Sequence, residues 1–320
     1  MQAAAEALGE GKKVILVHAN ADMDALGSAF ALAGLFPPAD IYAPGGLDRT
    51  AKNAAENLGI EILSSCDLSG YDTVAAVDTS SLSQLDLDEE LPQGTVVIDH
   101  HIVTGDWDGC VSIIDPGRVS CCEIVYDLYR QSGKPVGRRE GLMLMGGMIS
   151  DSRNLRVADS RLLSALASLM EECGIPMDEA MDIAVLPASI SERHASVSAV
   201  GRSRCERIGD MIVASALAGS FEASVCKSLL AAGADVSFSA SQRDEEFRIS
   251  ARATPEAVRR GVNLGIIMKG IGSETSSSGG GHDGAAGMSG TGDAEAMLHI
   301  CMSRTCEVFR EIRNGTKPKE

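Results

Sequence analysis

The amino-acid sequence predicts an α/β protein: an N-terminal mostly parallel sheet with helices on both faces, then a smaller C-terminal α+β domain. Three observations carry that reading. Short β-branched runs alternate with helical patterns through the first half, as strands joined by crossover helices do. The alternation breaks near Pro187, and later runs alternate polar with apolar like half-buried antiparallel strands. The length of 320 residues suits two domains. The expected boundaries are 1–186 for the first, 187–204 for a linker and 205–320 for the second.

The elements follow in order. Residues 14–17 form a first strand ending at His18, and helical periodicity covers 24–35. Residues 41–43 read as a strand and 49–58 as a helix. Residues 74–77 and 96–98 are further buried strands, each followed at once by polar residues. Helices follow at 120–131, 139–149, 160–172 and 177–184. A run rich in Ser, Arg and Gly over 186–203 reads as a connection. Beyond it, 211–217, 236–241 and 247–251 read as strands. Pro255 opens a helix through Lys269, where its missing N–H costs nothing. A Ser/Gly-rich loop at 276–287 and a last helix over 293–312 close the chain.

Composition narrows the function. A chain 44% hydrophobic and 23% charged is neither disordered nor a collagen-like fibre. Aromatics at 3% argue against stacking platforms for long single strands. The net charge is −17, and residues 1–190 carry all of the excess, with 29 acids against 12 bases; residues 191–320 hold 16 of each. No overall basic face exists for duplex DNA. The acidic part either serves solubility or holds cations. Nine scattered cysteines without a C-x-x-C pair make neither a disulfide framework nor a zinc ribbon. Idle thiols, no signal-peptide pattern and no apolar stretch long enough to span a bilayer predict a cytoplasmic protein without membrane contact.

The chemistry stands at the strand ends. His18, Asp22 and Asp24 follow the first strand, Asp78 follows the third, and Asp99, His100 and His101 follow the fourth; Asp151 follows a helix. Singly, each has a plain reading: Asp22 or Asp24 as a helix cap, the adjacent histidines as loop residues, Asp78 as a turn residue. Together, four segments bring imidazoles and carboxylates to one sheet edge, where open α/β sheets bind ligands. These are ligand types for Mn²⁺ or a similar ion, and clustered carboxylates would repel without one.

His18-x-x-x-Asp22-x-Asp24-x-x-Gly27-Ser28, Val77-Asp78, Asp99-His100-His101 and Ser150-Asp151 resemble the four motifs of the DHH phosphoesterase superfamily. The run from Gly279 to Gly287, with Gly279-Gly280-Gly281-His282, resembles the signature of the DHH-associated domain. Size and plan are most similar to the NrnA-type branch of oligoribonucleases and pAp phosphatases, related to RecJ exonucleases. Ala21 and Met23 depart from the usual first motif, and Arg153 stands where glycine is common; neither departure touches a ligand position, and Arg153 bears on substrate fit.

The resemblance implies two divalent ions, usually Mn²⁺, with Mg²⁺ or Co²⁺ as alternatives. His18, Asp22 and Asp78 would hold one. Asp24, Asp78, His100 and Asp151 would hold the other, with Asp78 bridging. Asp99 would fix a neighbouring imidazole or main chain, and His101 would contact the scissile phosphate or protonate the leaving oxygen. Arg252, Gly279, Gly280, Gly281 and His282 would bind substrate, in a cleft suited to a short ligand. The implied activity is hydrolysis of short single-stranded oligonucleotides or pAp-like nucleotides to mononucleotides. A RecJ-like exonuclease, a cyclic-dinucleotide phosphodiesterase, a pyrophosphatase or a silent nucleotide-binding module are the alternatives, and a homodimer stays open.

Overall fold

A computed structural model describes residues 1–87, 90–102 and 107–313. The chain divides into two compact units, Met1–Pro187 and Ala188–Glu320.

The first unit comprises α1 (Gln2–Ala7), β1 (Lys13–Val17), α2 (Met23–Leu35), β2 (Ala39–Tyr42), α3 (Arg49–Leu58), β3 (Thr73–Val77), β4 (Val96–Asp99), β5 (Val111–Ile114), α4 (Cys121–Ser132), α5 (Arg138–Asp151), α6 (Ser160–Cys173) and α7 (Met177–Ala184). The strands run parallel in the order β2-β1-β3-β4-β5. β5 is a fifth strand that the sequence reading left out. Every residue of β1 and β4 is buried, as strands covered on both faces require. Ile15, Val17, Ala75, Val77 and Ile98 pack in one core with α2, α4 and α5. Val14, Leu16, Val74, Ala76 and Val97 pack on the other face beneath Leu68, Leu85 and Trp107. Two of these, Leu68 and Leu85, stand on single-turn 3₁₀ helices.

The helices on the first face come very close. A Cβ on Gly27 would lie 2.5 Å from the Met143 carbonyl oxygen, and one on Gly147 would lie 2.4 Å from Cys122 Sγ. Glycine at these two positions lets α5 seat against α2 and α4.

The second unit holds α8 (Ile190–Gly201), β6 (Arg204–Ile208), β7 (Met211–Leu217), α9 (Glu222–Ala231), β8 (Val236–Arg243), β9 (Glu246–Ala253), α10 (Pro255–Arg259), α11 (Leu264–Glu274), β10 (Ser278–Gly281), β11 (Ala285–Thr291) and α12 (Ala294–Arg313). The sheet order is β10-β11-β9-β8-β7-β6. Only β7 and β8 pair in parallel, and α9 makes the crossover between them. Residues of α11 and α12 fill the core on one face, and Ala199 of α8 joins Val225 and Leu229 of α9 on the other.

Three expectations change. The connection expected over 187–204 contains helix α8, started by Ser189, whose Oγ accepts from the Glu192 N–H at 3.1 Å. The single helix expected from Pro255 to Lys269 is broken at Gly261, whose φ of +110° no helix tolerates. The Ser/Gly loop expected at 276–287 is a hairpin, β10 paired antiparallel with β11. The end of the expected second domain, 314–320, lies outside the described residues.

Candidate metal centre

In this strand order the chain leaves β1 toward β2 on one side and continues with β3 on the other. The crevice of such a sheet opens at the carboxyl ends of these two strands. His18 follows β1 there and Asp78 follows β3. Asp78 adopts φ 55°, a left-handed turn that Asp tolerates better than most residues. Its N–H donates to the Ile98 carbonyl at 2.9 Å. Asp22 is the N-cap of α2, accepting through Oδ1 from the N–H groups of Asp24 (3.0 Å) and Ala25 (3.2 Å). The cap reading and membership of the cluster are therefore compatible for this residue. Asp151 is the last residue of α5.

Three overlapping sets of donor atoms lie within 4.8 Å of one another: His18, Asp22 and Asp78; Asp24, His100 and Asp151; Asp78, His100 and His101. His100 Nε2 stands 3.4 Å from Asp78 Oδ1, 3.4 Å from Asp151 Oδ2 and 3.7 Å from Asp24 Oδ2. His18 Nε2 is 4.0 Å from Asp78 Oδ2. The structure thus draws together all six side chains expected as ligands, with His101 beside them.

Each imidazole is anchored through Nδ1. His18 Nδ1 faces the Ala19 carbonyl at 2.9 Å, His100 Nδ1 the Arg118 carbonyl at 3.4 Å, and His101 Nδ1 the Asp99 carboxylate at 2.8 Å. A proton held at Nδ1 leaves the Nε2 lone pair free for a ligand. Asp99 Oδ1 also accepts the His100 backbone N–H at 2.8 Å. Asp24 is fully buried, and its carboxylate accepts two N–H groups at the start of α4, Cys121 at 2.6 Å and Cys122 at 3.0 Å. A helix N-terminus favours the negative charge placed there.

The cluster is short of positive charge. Burial first, then Asp78 and Asp151, push the Asp24 carboxyl well above its ordinary range. The same causes raise Asp22. Burial opposes charge on His100, yet the nearby carboxylates of Asp151, Asp78 and Asp24 outweigh it and hold the imidazole up to about 11. Asp78 Oδ1 and His100 Nε2 are buried and make no hydrogen bond despite their proximity. Two like charges 4 Å apart repel by about 4 kcal/mol at an effective dielectric of about 20. Divalent cations would relieve that repulsion and partner both orphaned atoms, so the donor set fits them.

The residues expected to bind substrate lie in the second unit. Gly280, Gly281 and His282 line a cavity of about 490 Å³ with Asn263, Gly265, Ile266, Lys269 and Asp283. Gly279 and Arg252 are not among its lining residues. Arg252 stands on β9 opposite Ala285 and donates through Nη1 to the Ala251 carbonyl at 2.9 Å. The glycines are first of all a packing device. A Cβ on Gly279 would lie 2.3 Å from the Met268 carbonyl oxygen, and one on Gly265 would lie 2.3 Å from the Gly281 carbonyl oxygen. Gly280 alone of the three consecutive glycines meets nothing within 4 Å.

The sequence reading missed the scaffold of the ligands: the Arg118 carbonyl, the N–H groups of Cys121 and Cys122, and Gly147, on which a Cβ would lie 2.9 Å from Asp24 Oδ1. Ser120, the N-cap of α4, was the available signal. It marks a helix start without saying which carboxylate meets it. After Asp151, residues Arg153, Asn154 and Leu155 all adopt left-handed φ of 53°, 55° and 66°, so the position occupied by Arg153 is one glycine would fill without strain.

Comparison with known proteins agrees with this architecture. Residues 12–148 match the N-terminal domain of the DHH family and residues 214–301 match the DHHA1 domain. The uncharacterised protein MJ0988 of Methanocaldococcus jannaschii is 29% identical over 331 aligned positions, covering 97% of this chain and 99% of that protein. A second protein of that organism, MJ1633, is 39% identical over 95 residues, 28% of this chain and 20% of its own length. An exopolyphosphatase-related protein from Bacteroides fragilis shares the fold, with a TM-score of 0.65, 17% identity and 98% of both chains covered. With its DHH motifs converging at the carboxyl ends of β1, β3 and β4 and a DHHA1 domain following in the sequence, the chain belongs to the DHH superfamily.

Proposed function

We propose that the chain is a divalent-metal-dependent phosphoesterase that hydrolyses very short single-stranded oligonucleotides or pAp-like nucleotides, releasing mononucleotides. The observation that carries this reading is the convergence of His18, Asp22, Asp24, Asp78, His100 and Asp151 into donor sets within 4.8 Å. Of two cations, His18, Asp22 and Asp78 would hold one, and Asp24, His100 and Asp151, with Asp78 shared, would hold the other. When bound, such a pair supplies Lewis-acid stabilisation of the phosphoryl, attacking and departing oxygens.

The protein groups divide the rest of the work. Asp78 faces both sets and holds them in one register. Asp99 accepts the His101 Nδ1 proton and so aims Nε2 away from itself. A protonated His101 donates from Nε2 to a phosphoryl oxygen or to the departing oxygen. His101 is about half exposed, as a group that meets a substrate must be. In the second unit, Gly280 lines the cavity without a side chain to obstruct it, and His282 and Lys269 add donors suited to a phosphate. The excess of negative charge over residues 1–190 favours short substrates, since distal phosphates of a long polyanion would be repelled.

The test is a substrate panel with purified protein and Mn²⁺: dinucleotide and trinucleotide RNA, pAp, long RNA, long single-stranded DNA, cyclic dinucleotides and pyrophosphate. The expected result is turnover of the short oligonucleotides or pAp that stops on adding chelator. Turnover confined to pyrophosphate, cyclic dinucleotides or long strands would replace the substrate assignment, and none at all would remove the enzymatic reading.

A further inference from the structure

We propose that Arg118 is a positioning residue for one half of the metal centre, acting through His100 and Asp24 without touching cation or substrate. The inference rests on the metal reading above and concerns the segment 115–120 between β5 and α4.

This segment and the start of α4 that it leads into serve two ligands. The Arg118 carbonyl faces His100 Nδ1 at 3.4 Å, and the N–H groups of Cys121 and Cys122 hold the Asp24 carboxylate at 2.6 and 3.0 Å. His100 and Asp24 belong to the same donor set, with Asp151. The set of His18, Asp22 and Asp78 hangs elsewhere: His18 on the Ala19 carbonyl and Asp22 on N–H groups in the first turn of α2.

The back of the segment is closed by the Arg118 guanidinium. Its Nε meets Asp115 Oδ2 at 3.2 Å, its Nη2 meets Asp127 Oδ2, and its Nη1 stands 3.6 Å from Glu123 Oε1. Glu123 is 1% exposed. Its Oε2 accepts the Val119 N–H at 2.9 Å, and its Oε1 has no hydrogen bond. Arg118 therefore compensates three carboxylates, one of them deeply buried. Without it their repulsion bears on Val119 and the start of α4, the elements that present the Arg118 carbonyl and the two N–H groups. A cavity of about 400 Å³ beside Arg118, Glu123 and Asp127 gives the released groups room to shift.

The experiment is Mn²⁺ calorimetry on the full chain as wild type, Arg118→Met, Arg118→Lys and Asp127→Asn, with a thermal melt of each. The wild type is expected to take up two ions. Arg118→Met should weaken one step by about 10- to 100-fold, the usual cost of losing a partner behind a ligand, and leave the other step unchanged. Arg118→Lys should recover part of that loss. If Arg118→Met does not fold, Asp127→Asn, which loosens the same guanidinium, should show the selective loss at smaller size. Unchanged uptake by the folded variants, or equal weakening of both steps, overturns the positioning role and leaves the metal reading standing. No uptake by the wild type overturns both.

Discussion

At the scale of single residues, Asp78 combines an unusual backbone with a central side chain. Its left-handed φ would cost most residues about 1–2 kcal/mol, and Asn shares the tolerance of Asp. Asp78→Asn therefore separates chemistry from folding better than Asp78→Ala. With the amide, the side chain keeps its turn and loses the charge that faces both donor sets. Turnover of the active substrate should fall below detection while circular dichroism and the melting temperature in chelator stay near wild type. Retained turnover would remove Asp78 from the centre. The six side chains that gather here were legible in the sequence, because each sits at the end of a short buried run or at the start or end of a helix. Asp99, the anchor of His101, was legible too; the anchors of His18 and His100 were not, because the carbonyls of Ala19 and Arg118 belong to the backbone and carry no residue signature.

At the scale of elements, the hairpin of β10 and β11 shows what composition conceals. A Ser/Gly run reads as a flexible loop, yet here glycine is what permits a strand to lie against helix α11 with main chain on main chain. Gly279→Ala forces a Cβ to within 2.3 Å of the Met268 carbonyl oxygen, and overpacking of this kind costs about 1–3 kcal/mol. Gly280→Ala meets open space. The first variant should melt at a clearly lower temperature; the second should melt like wild type and instead raise KM for the active substrate. Equal melting of the two would refute the packing account. Other misreadings have similar causes. Helix α8 escaped notice because Ile190 and Val197 are 79% and 75% exposed, so no apolar stripe marks it. Edge strand β6 is exposed at four of its five residues and likewise lacks a core pattern. The central strands were plain because burial on both faces makes them continuously apolar.

At the scale of the whole molecule, the two units solve their local problems differently. The first concentrates carboxylates that repel until a cation arrives. Binding to the folded state alone adds about 2.7 kcal/mol per ion at a free concentration about 100 times the dissociation constant. Saturating Mn²⁺ should therefore raise the melting temperature and slow amide exchange around His18–Asp24, Asp78, His100 and Cys121–Cys122. It should leave exchange at Gly279–His282 unaltered. Protection appearing first in the second unit would contradict this assignment of the ions. The second unit relies on contact between backbones, and this sets a limit on how its cavity can diversify. A wall built from peptide groups at Gly265 and Gly281 offers no rotamers to swap and no volume to trade. Retuning the cavity for a different occupant is left to the side chains around its rim, Asn263, Ile266 and Lys269, while the wall itself stays constant.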